Sequence, residues 1–554
     1  MSDELDQVFV YHQATKHNFH AFARGPGTLD WVTQPDPFRR YQGAPLVELE
    51  KVAPGGYPLY YPALLGGHVP PAPLDHHSLS QLLFDSLALS AWKQAGGESW
   101  ALRVNPSSGN LHPTEGYLIC GPVEELCKVP AVCHYAPKEH ALEIRAQFPL
   151  ETWQALTAEL PANTLLVGLT SIHWREAWKY GERAFRYCQH DVGHAIAALS
   201  IAAAGLGWQA SLLDDLGTEQ LANLLGVNDP QGGGAEPEHP DCVLAIYPQG
   251  EICRTLGLPG AVLDSFAALD WQGTPNQMSP GHVDWSIIVD VAAATIKPPT
   301  GGVYDSKAPG ERSEVADRDE PLQPVSTAVS LRQIIRQRRS AVAMDGRTGI
   351  SRDALFDILY KTLPGATPFP TNALPWPPCI HLVLFVHRIQ DLEEPGLYLL
   401  VRASTAQEAL QKAMKDEFVW QKPGGCPADM GLYRLMAGDA RAVSMQLSCQ
   451  QAIASDGCFS LGMLADFDVS LGRYGAWFYP RLFWESGAIG QALYLAAEAA
   501  GLRGTGIGCF FDDPVHTQLA LDLQTLQYQS LYHFTIGGPV EDIRLTTLPA
   551  YSDQ

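Results

Sequence analysis

Three clusters of residues could do chemistry together, although they lie far apart in the chain. The first is Arg338-Arg339-Ser340, at the end of a helical pattern over residues 331–337. Guanidinium groups are permanently charged, planar donors that suit a phosphate, and the serine hydroxyl adds another donor. The second is Gly504-Thr505-Gly506-Ile507-Gly508-Cys509, read as a turn after a long helix. Alternating glycines there let backbone N–H groups approach a ligand face. This run follows a helix rather than opening one, so it is no dinucleotide fingerprint. The third is Pro106-Ser107-Ser108-Gly109-Asn110-Leu111-His112-Pro113, dense in hydroxyls, an amide and turn formers. Its counterpart, residues 372–378, is mostly Pro, Trp and Leu. Lys179-Tyr180, on its residue types alone, reads as a surface lysine and a core aromatic. His112, His190 and His194 read as structural histidines.

The composition makes the arginines stand out. With 37 basic and 60 acidic side chains the formal charge is −23, which repels nucleic acid and anionic lipid surfaces. A basic cluster in so acidic a chain needs an anion to justify it. The opening residues carry no basic and apolar leader pattern, and no apolar run reaches membrane-span length, so a cytoplasmic protein is expected. The 11 cysteines are scattered without a C-x-x-C pair, which argues against a disulfide framework or a metal site. Cys188, Cys242 and Cys449 read as reduced core residues.

The elements that must position these clusters are revealed by self-similarity. A shift of 294 residues carries Lys179-Tyr180-Gly181 onto Arg473-Tyr474-Gly475, Gly193 onto Gly487 and Gly207 onto Gly501. Both copies contain an Ala-rich helix, residues 190–206 and 485–500, with small residues on several faces, as close helix packing requires. Earlier helices at 78–90 and 352–362 each precede an apolar strand, 116–120 and 380–386. At 554 residues the chain exceeds one hydrophobic core. The expectation is an α+β protein with an N-terminal domain over 1–295, a Pro/Gly-rich linker over 296–325 and a C-terminal domain over 326–554. Residues 257–296 fit neither copy and are expected to wrap across the other half.

With these residues in hand the chain resembles the nitroreductase superfamily of FMN enzymes, in the tandem form related to SagB/ThcOx-type dehydrogenases. The features that carry the resemblance are Tyr11-His12, Thr15-Lys16-His17, the loop from Pro106 to Glu115, Lys179-Tyr180-Gly181-Glu182-Arg183-Ala184, Arg186-Tyr187, Arg338-Arg339-Ser340, the 505–510 turn, and Gly537-Gly538-Pro539 leading to Arg544. The resemblance implies two nitroreductase-like α/β sandwich domains forming an intramolecular pseudo-dimer with one FMN between them. It implies Pro106, Ser107, Ser108 and Asn110 from one half, and Arg338, Arg339, Ser340, Gly506, Gly508, Cys509 and Arg544 from the other, as the cofactor-binding set. The pseudo-symmetric second site has neither set. Lys179 and Tyr180 match the proton-handling pair of azoline dehydrogenases. Val342 stands where the family often has a basic residue, leaving Gln450 or Gln451 as donors to the flavin C2 carbonyl.

The implied function is FMN-dependent two-electron transfer by a ping-pong route, on azoline rings of a modified peptide. The alternatives are NAD(P)H-driven reduction of nitro compounds or quinones, and a flavin-containing non-catalytic partner in a peptide-modifying complex. A monomeric pseudo-dimer and a homodimer are both compatible with the sequence.

Overall fold

Six strands in the first half of the chain and six in the second are arranged identically. The structure, a computed structural model, describes residues 3–228, 234, 236–304, 328–365 and 370–551. The first set is β1 (Thr114–Cys120), β2 (Ala131–Ala136), β3 (Ala141–Gln147), β4 (Leu165–Ser171), β5 (Trp208–Leu212) and β6 (His239–Pro248). The second is β7 (Ile380–Val386), β8 (Gly396–Leu400), β9 (Leu432–Ala437), β10 (Phe459–Asp466), β11 (Arg503–Ile507) and β12 (Tyr528–Gly537). The first sheet runs β3-β2-β1-β4-β6-β5, with a short strand Leu46–Glu48 at its β3 edge; the second runs β9-β8-β7-β10-β12-β11. All these pairings are antiparallel. Thr114 faces Ser171 in the first sheet, and Ile380 faces Ala465 at the matching place in the second.

Four helices set the site: α1 (His173–Tyr180), α2 (Ala184–Ala204), α3 (Leu331–Gln337) and α4 (Tyr479–Ala499). Every residue of α2 is buried, so it is a core helix, and alanine and glycine are what let another backbone come close. It crosses α4 at Gly193 and Gly487. A methyl on Gly193 would meet Trp484 O at 2.2 Å, and one on Gly487 would meet His190 O at 2.2 Å. One hydrophobic core spans both sheets through this crossing, with satellite clusters on each sheet's far face.

The halves also interlock at their ends. Thr546–Leu548 adds to the hairpin strand Leu89–Ala95, pairing Thr547 with Lys93. Tyr551 OH donates to Pro137 O at 2.6 Å beyond it. In the other direction the helix Asp3–Ala14 reaches the second half, where His12 meets Gln529 at 3.1 Å and Tyr479 at 3.2 Å.

Several expectations need correction. Residues 503–507 form a strand, not a turn. Glycine is a poor strand former, but methyls at Gly504, Gly506 and Gly508 would strike Phe534, Tyr532 and Tyr187, so aromatic packing selects glycine here. The 78–90 helix is shorter, His76–Phe84, and gives way to the strand at Leu89. Residues 257–296 pack on their own half: the Phe266 ring packs at a tilt against Phe148, centroids 4.9 Å apart, and Thr274–Pro275 pairs with Tyr41–Gln42. Residues 297–304, at the start of the span expected to be a linker, are held by hydrogen bonds to the first half. Lys297 donates to Thr300 Oγ1 at 2.8 Å, and Tyr304 is buried on Asp214. Residues 305–325 lie outside the described residues. Among the described residues no helix is long and apolar enough to cross a membrane.

Candidate functional site

A cavity of about 500 Å³ opens between the halves, beside α2 and β11. That is within the ~300–1,000 Å³ usual for cofactor and small-molecule sites. Pro106, Ser107, Ser108 and Asn110 line it from the first half; Arg338, Arg339, Ser340, Gly506, Gly508 and Cys509 line it from the second. The three distant clusters therefore meet at one place.

The 106–112 loop is fixed by its own hydrogen bonds. Gly109, Asn110 and His112 all have φ between 52° and 61°, which produces a tight reversal. The Asn110 amide donates to Ala101 O at 2.8 Å, and its oxygen meets His112 Nε2 at 3.0 Å. Ser107 Oγ accepts from His112 N at 2.8 Å. Asp191, on α2, takes both Ser108 N at 3.0 Å and Ser108 Oγ at 3.1 Å on one oxygen, tying the loop to the core helix.

The arginines are held from both sides of the seam. Arg338 is 3% exposed; its Nε donates to Val104 O and its Nη2 to Arg103 O, while Nη1 is buried with no hydrogen-bond partner. An orphaned guanidinium nitrogen beside a cavity is the kind of group an anion satisfies. Arg339 donates to Arg336 O and Arg338 O, and across the seam to Ser90 O. Burial lowers the pKa of both, Arg339 to about 10. Ser340 Oγ meets Tyr494 OH at 2.9 Å, and that hydroxyl accepts from Gly506 N at 2.8 Å.

Arg544 is placed differently from the rest. It is exposed, paired with Asp542 at 2.7 Å, and does not line the cavity, although Asp542 and Leu545 do. Besides the buried Arg103, two other cations line the cavity: Lys93 on the hairpin, and Arg503, which pairs with Glu541 at 3.0 Å. Neither was legible beforehand, because Lys93 reaches the site only through the packing of the C-terminal strand. Val342 lines the cavity as an apolar residue. The Gln451 amide donates to Ser448 O at 2.9 Å and Cys509 O at 3.0 Å, so it braces the turn rather than presenting a free donor.

Tyr180 lines the cavity, edge-on to Tyr187 with ring centroids 4.6 Å apart. Lys179 is not a lining residue, but its Nζ lies 5.3 Å from the Tyr180 ring centroid and 3.1 Å from where a Gly109 methyl would be. The pair thus flanks the serine loop.

Sequence reasoning missed the acids. Asp191 is 2% exposed and lines the cavity, and its Oδ2 has no partner. Burial drives its pKa up to about 7, against the serine groups that lean on it. Both carboxylate oxygens of Glu176, one turn before Tyr180, are buried without partners. Burial and then the neighbouring Asp191 hold its pKa well above the ordinary value. The available signal was a lone acid between His190 and His194 in an Ala-rich helix. His194, also at the cavity, is held neutral by burial, with its pKa near 3, and its Nε2 meets Tyr532 OH at 3.2 Å.

A buried triad aligns the two halves at this point. Asp512 accepts from Arg183 at 3.0 Å and Arg186 at 2.9 Å. Arg183 and Tyr187 each donate to Gly508 O at 3.2 Å. The start of α2 therefore dictates where the 508–512 segment runs.

This arrangement was compared with known proteins. The Nitroreductase family model matches residues 73–235. A solved structure described as a putative nitroreductase from Anabaena variabilis ATCC 29413 superposes with a TM-score of 0.68 at 22% identity, covering 96% of this chain and 99% of that one. The fold is nitroreductase-like. A putative nitroreductase from Ralstonia eutropha JMP134 aligns at 17% identity and a TM-score of 0.28, covering 40% of this chain and 96% of that one. A chain of the E. coli microcin synthetase McbBCD complex with truncated pro-MccB17 bound aligns at 16% and 0.26, covering 45% and 94%. No curated protein matches the chain.

Within this nitroreductase-like fold, the place related to the cavity by the 294-residue shift is filled. Arg481 and Asp214, standing where Tyr187 and Gly508 do, form a buried ion pair at 2.7 Å. Tyr304 donates to the same carboxylate and packs on Tyr474, Trp376 and Phe478.

Proposed function

We propose that the chain is an FMN-dependent two-electron oxidoreductase of tandem SagB/ThcOx type, made of two nitroreductase-like units over 1–295 and 326–554 that share one flavin. The observation that carries this reading is a cavity bordered by both halves. At it a buried guanidinium has an unused donor, and Lys93, Arg339 and Arg503 stand beside it in a chain of charge −23. The donor set suits an FMN phosphate, with Arg338 and Ser340 as its principal holders. The 107–110 hydroxyls and the amides near Gly508 suit the ribityl chain and ring edge. When bound, FMN would supply the two-electron exchange, taken up and released in separate ping-pong half-reactions.

The chain's own residues would manage protons and water. Asp191, protonated below about pH 7, keeps a donor inside the site, with Glu176 behind it. In this reading Tyr180 and Lys179, flanking the serine loop, would handle the proton that leaves a substrate carbon next to the one that loses hydride, with Tyr180 kept as a neutral phenol by burial. This pair supports dehydrogenation of an azoline ring in a modified peptide as the substrate class.

The test is direct. The purified chain, given FMN, is expected to retain it near one per chain and to show no rapid bleaching with NAD(P)H. Bleaching by NAD(P)H supports the nitro/quinone reductase reading instead. Bound flavin without turnover on any azoline, quinone or nitro compound supports a non-catalytic partner in a peptide-modifying complex.

A further inference from the structure

Cys449 does not behave as the buried core thiol its sequence context suggests. It is half-buried, and its sulfur lies 2.7 Å from that of Cys509, far inside ordinary contact and not far beyond the roughly 2.05 Å of a covalent disulfide. Cys509 lines the cavity next to Gly508, with its own carbonyl braced by Gln451, whereas Cys449 is not among the lining residues, so the pair stands at the edge of the cavity.

The local backbone is built to bring them together. Cys449 and Gln450, neither a glycine, both take left-handed conformations at φ 53° and 60°. Two consecutive non-glycine residues in that region are uncommon and persist only where the surroundings impose them. His17 adjoins the Cys509 thiol, and Arg183 stands near. The Cys449 thiol first, and then His17, pull the Cys509 pKa down to about 5 against burial, which favours a thiolate. The contrast is Cys120 and Cys127, 3.8 Å apart, which do not line this cavity.

We propose that Cys449 and Cys509 are a redox-active dithiol/disulfide pair that exchanges two electrons with the flavin in the adjoining cavity. This rests on the cofactor reading above. In the forward direction both S–H bonds break and one S–S bond forms. The two electrons and two protons released pass to oxidised FMN, which becomes its dihydro form. The reverse reaction restores both thiols. Dithiols in solution, reacting with the pair by thiol–disulfide exchange, would then feed or drain the site without a nicotinamide.

The experiment uses the full chain loaded with FMN, equilibrated anaerobically in mixtures of reduced and oxidised dithiothreitol, with free thiols trapped by a maleimide and peptides mapped by mass. The expected result is a Cys449–Cys509 cross-link that appears as the mixture becomes oxidising, with the other cysteines still labelled. When the reduced chain is freed of dithiothreitol and given one equivalent of FMN without oxygen, the visible flavin absorbance should fall as two thiols per chain disappear. In Cys449→Ser the flavin should bind and stay oxidised. FMN bound with no cross-link at any ratio, or bleaching as strong in Cys449→Ser, overturns the proposal and leaves the cofactor reading intact. Failure of the wild-type chain to bind FMN overturns the cofactor reading itself, and the electron exchange with it. If Cys449→Ser does not fold, the thiol count and cross-link map of the wild-type chain decide the matter alone.

Discussion

Gly193 and Gly487 meet where the two long helices cross: a methyl built on Gly487 would sit 2.9 Å from the Gly193 Cα. The obstacles are backbone atoms, so no side-chain rotation can relieve them. Gly193→Ala or Gly487→Ala should push the helices apart at a cost of about 1–3 kcal/mol. Calorimetry should show a lower unfolding temperature for either variant, and flavin content should fall, because Asp191 and His194 ride on the same helix. An unchanged unfolding temperature would mean the helices do not cross here.

The orphaned donor on Arg338 gives the second prediction. Charge-assisted hydrogen bonds contribute about 1.5–3 kcal/mol each, so Arg338→Ala should weaken FMN binding at least tenfold to a hundredfold. Equilibrium dialysis against FMN measures this. Arg544→Ala, changing an exposed residue paired with Asp542, should bind flavin like the wild type.

Asp512 joins the halves, and its loss would leave Arg183 and Arg186 buried and unpaired. Breaking such a buried group costs about 3–5 kcal/mol. Asp512→Ala should therefore lower the denaturant midpoint strongly. Burial alone would raise the Asp512 pKa, but the two arginines outweigh it and the net shift is downward. Its stabilisation is thus complete above the ordinary carboxylate pKa and is lost as pH falls through the lower folded value. Glu115, held down to about 2 by Arg175 and His134 against burial, adds to the same acid-side loss, between about pH 4.5 and 2. Denaturant melts from pH 6 to 2 should show stability falling across that window.

Asp191 titrates in the opposite sense. Its folded pKa is raised from 3.8 to about 7, so between those values the unfolded chain releases a proton that the folded chain keeps. Stability from this group declines as pH rises through that range and is flat above it. Asp191→Asn should remove that slope. In stopped-flow measurements of the flavin half-reaction it should also abolish an inflection near pH 7. An inflection that survives the substitution assigns the proton to another group.

Much of this arrangement was legible in the sequence because its signals are local. The serine loop, the arginine pair and the glycine run each combine residue types with no cheaper structural explanation together, and the 294-residue shift pointed to the helix crossing. What stayed hidden depended on partners distant in sequence. The strand at 503–507 looks like a turn until Tyr532, Phe534 and Tyr187 are seen occupying the space that side chains would need. Asp191 looks like a stray acid until burial removes its water. Lys93 and Arg503 come to the cavity through strand pairing that no periodicity reveals. Cys449 and Cys509 stand 60 residues apart, and only a left-handed turn brings them into contact.

The most direct measurement is the FMN stoichiometry of the full-length chain, by flavin absorbance against protein concentration after exhaustive washing. One flavin per chain, lost in Arg338→Ala, is the predicted result. No retained flavin, or two per chain, would contradict a single pocket formed jointly by both halves.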